Sequence, residues 1–368
     1  MALPSSGNPI SLSQVNTELG NSSSASISMN SSSVRNLAGV TSGQISMSNL
    51  FGKSNELISG LYVDSGSWKY FTTTNGSSVT GSSSGPSGTT TPLTAASDGN
   101  STYVVKYTTG GGAQVQVSTN GGTTWSNVNL ASTRLWNPIV YGNGYFVMTA
   151  GGGGSTYCTY SNNPSSSWTD STMPATGFWN ALTYTPLGFW AVNQNGLSTF
   201  SSTGATWSST QTLSKPANSA VTDCLYANGV YMALTVNGAG GPVVLRSTDG
   251  TNFSQITVTG ASNALQYLSY VGGNTWFATS AGTSSTIICR STDNGASWSA
   301  ITTGTGLEIY GTIITVGSTL MASWQSGTKI IVSTDNGSNW TGYSSNPANS
   351  GSVIYPIWNT KQSSRWRR

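Results

Sequence analysis

Ten carboxylates, thirteen Lys and Arg and no His are the ionisable side chains with which this chain of 368 residues could do acid–base work. Hydrolysis of a glycoside would need two carboxylates facing one another across the scissile bond, and cleavage of an acidic sugar would add an arginine cluster and a Tyr–Glu nucleophile pair. Asp249, Asp293 and Asp335 each open a turn of recurring sequence, and Glu18 lies in a distinct N-terminal segment. Glu56, Asp64, Asp98, Asp170, Asp223 and Glu308 remain, and a pair such as Asp223 with Glu308 on neighbouring inner strands is the arrangement left open to a glycosidase. The arginines do not cluster: Arg35 belongs to the N-terminal segment, Arg246 and Arg290 directly precede the recurring turns, and Arg365, Arg367 and Arg368 read as a solvated tail. Cys158, Cys224 and Cys289 are too far apart for CxxC metal chemistry and suit small apolar strand positions. Neither catalysis nor a metal or cofactor is expected.

Binding suits the residue types better. With Tyr141, Tyr184, Tyr226 and Tyr270 aligned, the position four residues earlier is Asn137, Asn180, Thr222 and Gln266, followed one unit later by Tyr310. At one register of successive inner strands these side chains would form a polar ring, with Trp136 and Trp179 beside the first two. Amides and hydroxyls next to indoles suit sugar hydroxyls, through paired hydrogen bonds and stacking on C–H faces. The competing reading has the indoles filling the gaps between units and the polar groups hydrating a channel.

The elements that would place such a ring follow from a repeat. Ser, Thr, Gly and Asn make up just over half of the chain, which disfavours long helices, while 13 Trp, 16 Tyr and 8 Phe are too many for disorder. Ser291 to Trp298 and Ser333 to Trp340 share the form S-T-D-N-G-x-x-W. Looser copies run from Ser118 through Asn120 to Trp125, from Ser161 through Asn163 to Trp168, and from Ser247 through Asp249 to Phe253; Gly204 to Trp207 keeps the second half. The closing aromatics fall at 125, 168, 207, 253, 298 and 340, a period of about 43. Each unit reads as four short strands, for example 137–141, 145–149, 156–161 and 168–171, which is the pattern of a propeller blade. The expected fold class is all-β: a propeller of seven blades, with six as the alternative. Residues 61–71 supply an incomplete first unit, and residues 351–358 an inner strand that returns beside it to close the ring.

The recurring turn resembles the Asp box of sialidase-type, sortilin-like and photosystem-assembly propellers (the BNR repeat). The resemblance covers residues 90–345 and implies a folding device at the outer rim: Asp or Asn accepts backbone N–H bonds, Gly supplies positive φ, and the aromatic packs the turn onto its own blade.

Residues 1–54 form a separate module ahead of the propeller domain of residues 55–368. Ile10-Ser-Leu12-Ser13, Ile27-Ser-Met29-Asn30 and Ile45-Ser-Met47-Ser48 recur at spacings of 17 and 18, each followed by a stretch ending at Gly20, Gly39 or Gly52. Ser13 or Asn30 would cap a short helix carrying Val15 and Leu19, or Val34 and Leu37. So few large apolar groups would scarcely bury a core alone, which points to docking on a partner or on further copies. The segment resembles the N-terminal part of many virion structural proteins of tailed bacteriophages. That resemblance implies an attachment module that plugs the chain into the particle, usually its tail, as one of many copies or a homo-oligomer, with the propeller projecting outward. Host-surface glycan is the implied ligand of a tail fibre or adhesin. A decoration or cement protein is the alternative and a glycan-degrading tailspike the third. A net charge of +3 gives no field for nucleic acid, and no run of apolar residues suits a signal peptide or a membrane span.

Overall fold

The computed structural model describes residues 3–4, 7–19, 21–38, 40, 42–51, 58–64, 67–73, 80–86, 92–107, 113–151, 155–237, 241–261, 265–280, 286–304, 306–316, 319–324, 330–343, 354–359 and 364–367. Strands dominate. β1 (Ile58–Asp64), β2 (Ser67–Thr73) and β3 (Thr80–Ser84) come first, then β4 (Pro92–Ser97), β5 (Tyr103–Tyr107), β6 (Gln114–Ser118) and β7 (Ser126–Asn129). The next sheet is β8 (Trp136–Gly142), β9 (Tyr145–Ala150), β10 (Tyr157–Ser161) and β11 (Thr169–Thr172). It is followed by β12 (Ala181–Thr185), β13 (Gly188–Val192), β14 (Leu197–Ser201) and β15 (Gln211–Thr212). β16 (Ser219–Ala227), β17 (Val230–Asn237), β18 (Val243–Ser247) and β19 (Ser254–Thr257) form another. Then come β20 (Leu265–Gly272), β21 (Thr275–Ser280), β22 (Ile287–Ser291) and β23 (Ser299–Thr302). The chain ends with β24 (Ile309–Val316), β25 (Thr319–Trp324), β26 (Ile330–Ser333) and β27 (Thr341–Tyr343), then β28 (Ile354–Asn359) and β29 (Ser364–Arg367).

Six blades are antiparallel meanders of four consecutive strands, from β4–β7 to β24–β27, which is the count given as the alternative. A seventh sheet is composite: β28 pairs with β1, outside which lie β2 and β3. The returning inner strand expected within residues 351–358 is therefore present from 354, and residues 351–353 lie outside the described residues. The C-terminal tail is not solvated chain, because β29 adds to β4 as a fifth strand, with Arg365 paired to Ala96 and Arg367 to Thr94. The last two strands thus cover the inner edges of β1 and β4.

The core lies in the seams between blades. One cluster joins Val104, Val115 and Val117 of the β4–β7 blade to Trp136, Ile139 and Phe146 of the next. Another joins Val140, Val147 and Cys158 to Trp179, Leu182 and Phe189. Since the sheets are packed on both faces, their second strands are largely buried, as in the fully buried runs Gly188–Val192 and Thr275–Ser280.

Polar side chains on the innermost strands bond to the backbone of the following blade. Thr94 Oγ1 accepts from Ile139 N (3.2 Å), Thr183 Oγ1 from Tyr226 N (3.4 Å), Asp223 Oδ2 from Leu268 N (2.9 Å) and Ser269 Oγ from Ile313 N (2.8 Å). Asp223 Oδ1 also accepts from Cys224 N at 2.9 Å.

The N-terminal module buries a core of its own, contrary to expectation: Leu3, Val15, Val34, Leu37, Ala38 and Leu50 are enclosed by Ile10, Leu19, Ile27, Met29, Val40, Ile45 and Met47. Small side chains suffice because α1 (Leu12–Glu18), α2 (Ser32–Ala38) and a 3-10 turn at Met47–Leu50 are short and lie close together. α1 is capped by Ser11, two residues before the expected Ser13, because Gln14 completes a reciprocal capping box with Ser11. α2 begins one residue beyond the point that capping by Asn30 would give, and Ser31 Oγ accepts from Val34 N there. Gly20, Gly39 and Gly52 lie outside the described residues.

Candidate functional site at the mouth of the inner strands

The polar positions aligned in the sequence occupy equivalent backbone sites. Asn137, Thr222 and Gln266 lie at shifts in the pairing register of β8, β16 and β20, Tyr310 begins such a shift in β24, and Asn180 immediately precedes β12. A bulge interrupts the ladder and re-aims the side chain it carries. Asn180 Nδ2 donates to Val221 O (3.1 Å) and Thr222 Oγ1 to Leu265 O (3.2 Å), each in the following blade. Gln266 is exposed; the side chain of Tyr310 falls outside the described residues.

The two indoles are not part of a binding surface. Trp136 and Trp179 are 0% exposed, and their Nε1 groups donate to Ser132 O (3.2 Å) and Ala175 O (3.0 Å). They fill blade seams, since a ring on an inner strand's sheet face meets the neighbouring sheet about 10 Å away. Their N–H bonds instead anchor the loops that enter β8 and β12.

The loop entering β8 carries Ser132 and Arg134, for which the sequence offered no periodic signal. Ser132 Oγ, Arg134 Nε, Asn137 Oδ1, Asn180 Oδ1 and Asn193 Nδ2 are buried atoms without a hydrogen-bond partner among the described residues. Thr149 Oγ1 bonds Trp179 O at 2.6 Å, which brings the end of β9 and the start of β12 together. The guanidinium carbon of Arg134 sits 3.4 Å from the ring centroid of Tyr157. Lys106, paired with Thr94 at the same end of the preceding blade, is buried, and desolvation pulls its pKa down to about 8.

The acid pair left open by the sequence does not form. Asp223 is spent on two backbone N–H groups, and Glu308 stands ahead of β24, with the whole β20–β23 blade between their strands. On the surface, Arg246 Nε donates to Asn294 O (3.0 Å) and one terminal nitrogen of Arg290 to Asn336 O (2.9 Å), so both tie successive turns together.

The recurring turns are built as their residues imply. Asp293 Oδ1 accepts from Ser297 N (2.9 Å), Asp335 Oδ1 from Asn339 N (2.8 Å), Asp249 Oδ1 from Asn252 N (2.8 Å) and Asn120 Oδ1 from Thr124 N (2.9 Å). Gly295 and Gly337 both hold φ of 80°. Asn163 departs: its Oδ1 accepts from Ser165 Oγ instead (2.8 Å), in the copy where Pro164 and Ser165 replace the turn's usual residues. The aromatics do not pack only on their own blades. Trp168, Trp298 and Trp340 enter the seam with the preceding blade, Trp125 lies 6.4 Å from Tyr70, and Phe253 stacks on Trp190 at 5.7 Å.

These features define an all-β protein of the propeller class. No protein-family description and no curated protein matches the sequence. Among solved structures, streptogramin B lyase is similar over 78% of this chain and 87% of its own, at 9% identity and a TM-score of 0.57. Virginiamycin B lyase from Staphylococcus aureus is similar over 72% and 92%, at 15% identity and 0.54. YCF48 from Cyanidioschyzon merolae is similar over 73% and 90%, at 12% identity and 0.55. At such identities the likeness establishes the fold alone.

Proposed function

We propose that this chain is a structural protein of a tailed-phage particle, held in the virion by residues 1–54 and displaying its propeller as a tail-associated adhesin for host-surface glycan. The recurring turns are read as Asp boxes, serving as folding devices. The observation that carries the binding half is the recurrence of polar atoms at bulges of the inner strands β8, β16 and β20, those of Asn137, Thr222 and the exposed Gln266. Hydroxyl-rich ligands supply both donors and acceptors to such atoms. The attachment half is supported by the N-terminal sequence resemblance and by the module's separate core. Other virion proteins are its partners through that module, and many copies per particle would sum weak sites into firm adhesion. Binding without cleavage fits a chain whose Asp223 is committed to backbone bonds.

The test uses particles complemented with either the full chain or a chain lacking residues 1–54. The full chain should enter particles and bind a bacterial-surface glycan array, whereas the shortened chain should bind the array and stay out of particles. A shortened chain that is still incorporated overturns the attachment role. A full chain that retains no glycan overturns the adhesin role.

A further inference from the structure

The repeat breaks its own pattern at one seam of the outer rim. β15 has two residues where β7, β11, β19 and β23 have four. The turn across from it, Ser247 to Phe253, is one residue shorter than Ser291 to Trp298 and closes with a smaller ring. Between the short strand and the short turn lies an open cleft of about 470 Å³, within the size range of small-ligand sites.

Thr212 and Ser214 stand on one wall of this cleft and Thr248, Asn252 and Phe253 on the other. Gln255 Nε2 ties the walls together by donating to Ser214 O (3.1 Å). Thr212, Ser214, Thr248 and Asn252 are all exposed, so their polar atoms face solvent and not a packed seam. Asn252 spends Nδ2 on Asp249 Oδ2 (2.8 Å) and Thr251 Oγ1 (3.2 Å), which aims its amide and leaves Oδ1 to accept from outside. Phe253 is half-buried and stacks on the enclosed Trp190, with 5.7 Å between ring centroids and 17° between planes. That stack holds the phenyl ring rigidly at the cleft it borders. No carboxylate lines the cleft, and Arg246, its one charged residue, donates through Nε to Asn294 O of the next blade (3.0 Å). Hydroxyls that both donate and accept, beside a fixed aromatic ring, match the hydroxyl edge and the C–H face of an uncharged sugar.

We propose that this rim cleft is a subsite for a neutral pyranose residue. Thr212, Ser214 and Thr248 exchange hydrogen bonds with its hydroxyls, Asn252 Oδ1 accepts one more, and Phe253 meets its C–H face. The proposal rests on the glycan reading above for the class of ligand and adds a site between outermost strands, apart from the inner-strand bulges.

The test is titration of the full chain, labelled at its threonine methyls, with maltotetraose, cellotetraose, chitotetraose and β-1,4-galactotetraose, followed by NMR. At least one should bind with a Kd on the order of 1 mM or tighter and shift the methyls of Thr212, Thr248 and Thr251. Ser214→Trp, at an exposed position, should fill the cleft and weaken that binding at least about tenfold, and Phe253→Leu should weaken it about threefold to tenfold. The shift map on the unmodified chain needs no variant to fold. Binding that shifts Thr222 of the inner strand but neither Thr212 nor Thr248 overturns the rim subsite and leaves the glycan reading standing. Binding of none of the four overturns the subsite as well, and only silence of the whole surface-glycan array also overturns the glycan reading.

Discussion

Asp335 shows how one side chain fixes a turn and makes stability depend on pH. Its Oδ1 accepts from Asn339 N and Ser333 Oγ, and its Oδ2 from Asn339 Nδ2. The backbone and side-chain bonds from Asn339 hold its pKa down at about 2. At Asp293 slight desolvation works upward, and bonds from the Ser297 side chain and backbone and from Ser291 outweigh it, again leaving about 2. A carboxylate near 3.9 when unfolded and lower when folded contributes stability in full above pH ~4, and that contribution is lost as pH falls through the folded value. The urea midpoint should therefore drop between about pH 4 and about pH 2. Asp335→Asn should shrink that drop while keeping the turn at neutral pH, because Asn120 already does the same work through Oδ1. A midpoint that is flat across this interval would remove the turns from the stability account. Trp298, 4% exposed in the seam between the β16–β19 and β20–β23 blades, has a larger effect. Trp298→Ala should cost about 3–5 kcal/mol by urea unfolding.

At the scale of elements, the N-terminal module and the blades respond independently. Ser11→Ala removes both the N-cap acceptor and its share of the capping box, on the order of 1 kcal/mol. Amides of Val15 to Leu19 should then exchange with deuterium about fivefold faster, with the tryptophan fluorescence transition unmoved, since all 13 Trp lie beyond residue 54. Coincident shifts in both probes would contradict a separate core. Strand placement was legible in the sequence because turn residues and aromatics recur with one period: 137–141 and 145–149 were read, and Trp136–Gly142 and Tyr145–Ala150 are found. The alignment of Asn137, Asn180, Thr222 and Gln266 was legible for the same reason. The side each ring faces was not, because period reports that a position is apolar and not which neighbouring sheet covers it; hence a ligand surface and a blade seam both stayed open for Trp136 and Trp179. Ser132, Arg134 and Asn193 carried no signal, since the loops that bear them differ in sequence from blade to blade. Asp223 looked like a spare acid because a bond to the backbone of another blade leaves no mark in local sequence.

Closure of the ring depends on both ends of one chain. β28 covers the edge of β1 and β29 covers the edge of β4, so the last strands to be made complete sheets whose first strands lie about 300 residues earlier. Every other blade is a local meander held to its neighbour by seam packing and by bonds such as Asp223 to Leu268 N. Removal of residues 354–368 would leave the six consecutive meanders intact but expose two inner edges, each a row of unpaired N–H and C=O groups. The shortened chain should melt at lower temperature, lose the β1–β3 sheet first, and form concentration-dependent oligomers by edge pairing. A peptide spanning residues 351–368 added in trans should restore the melting temperature and the monomer–oligomer balance measured by light scattering, as a ligand for the folded state alone would. An unchanged melt after truncation would mean that the blade seams alone close the molecule. In that case the two terminal strands would be free to serve as docking strands for a neighbouring virion protein.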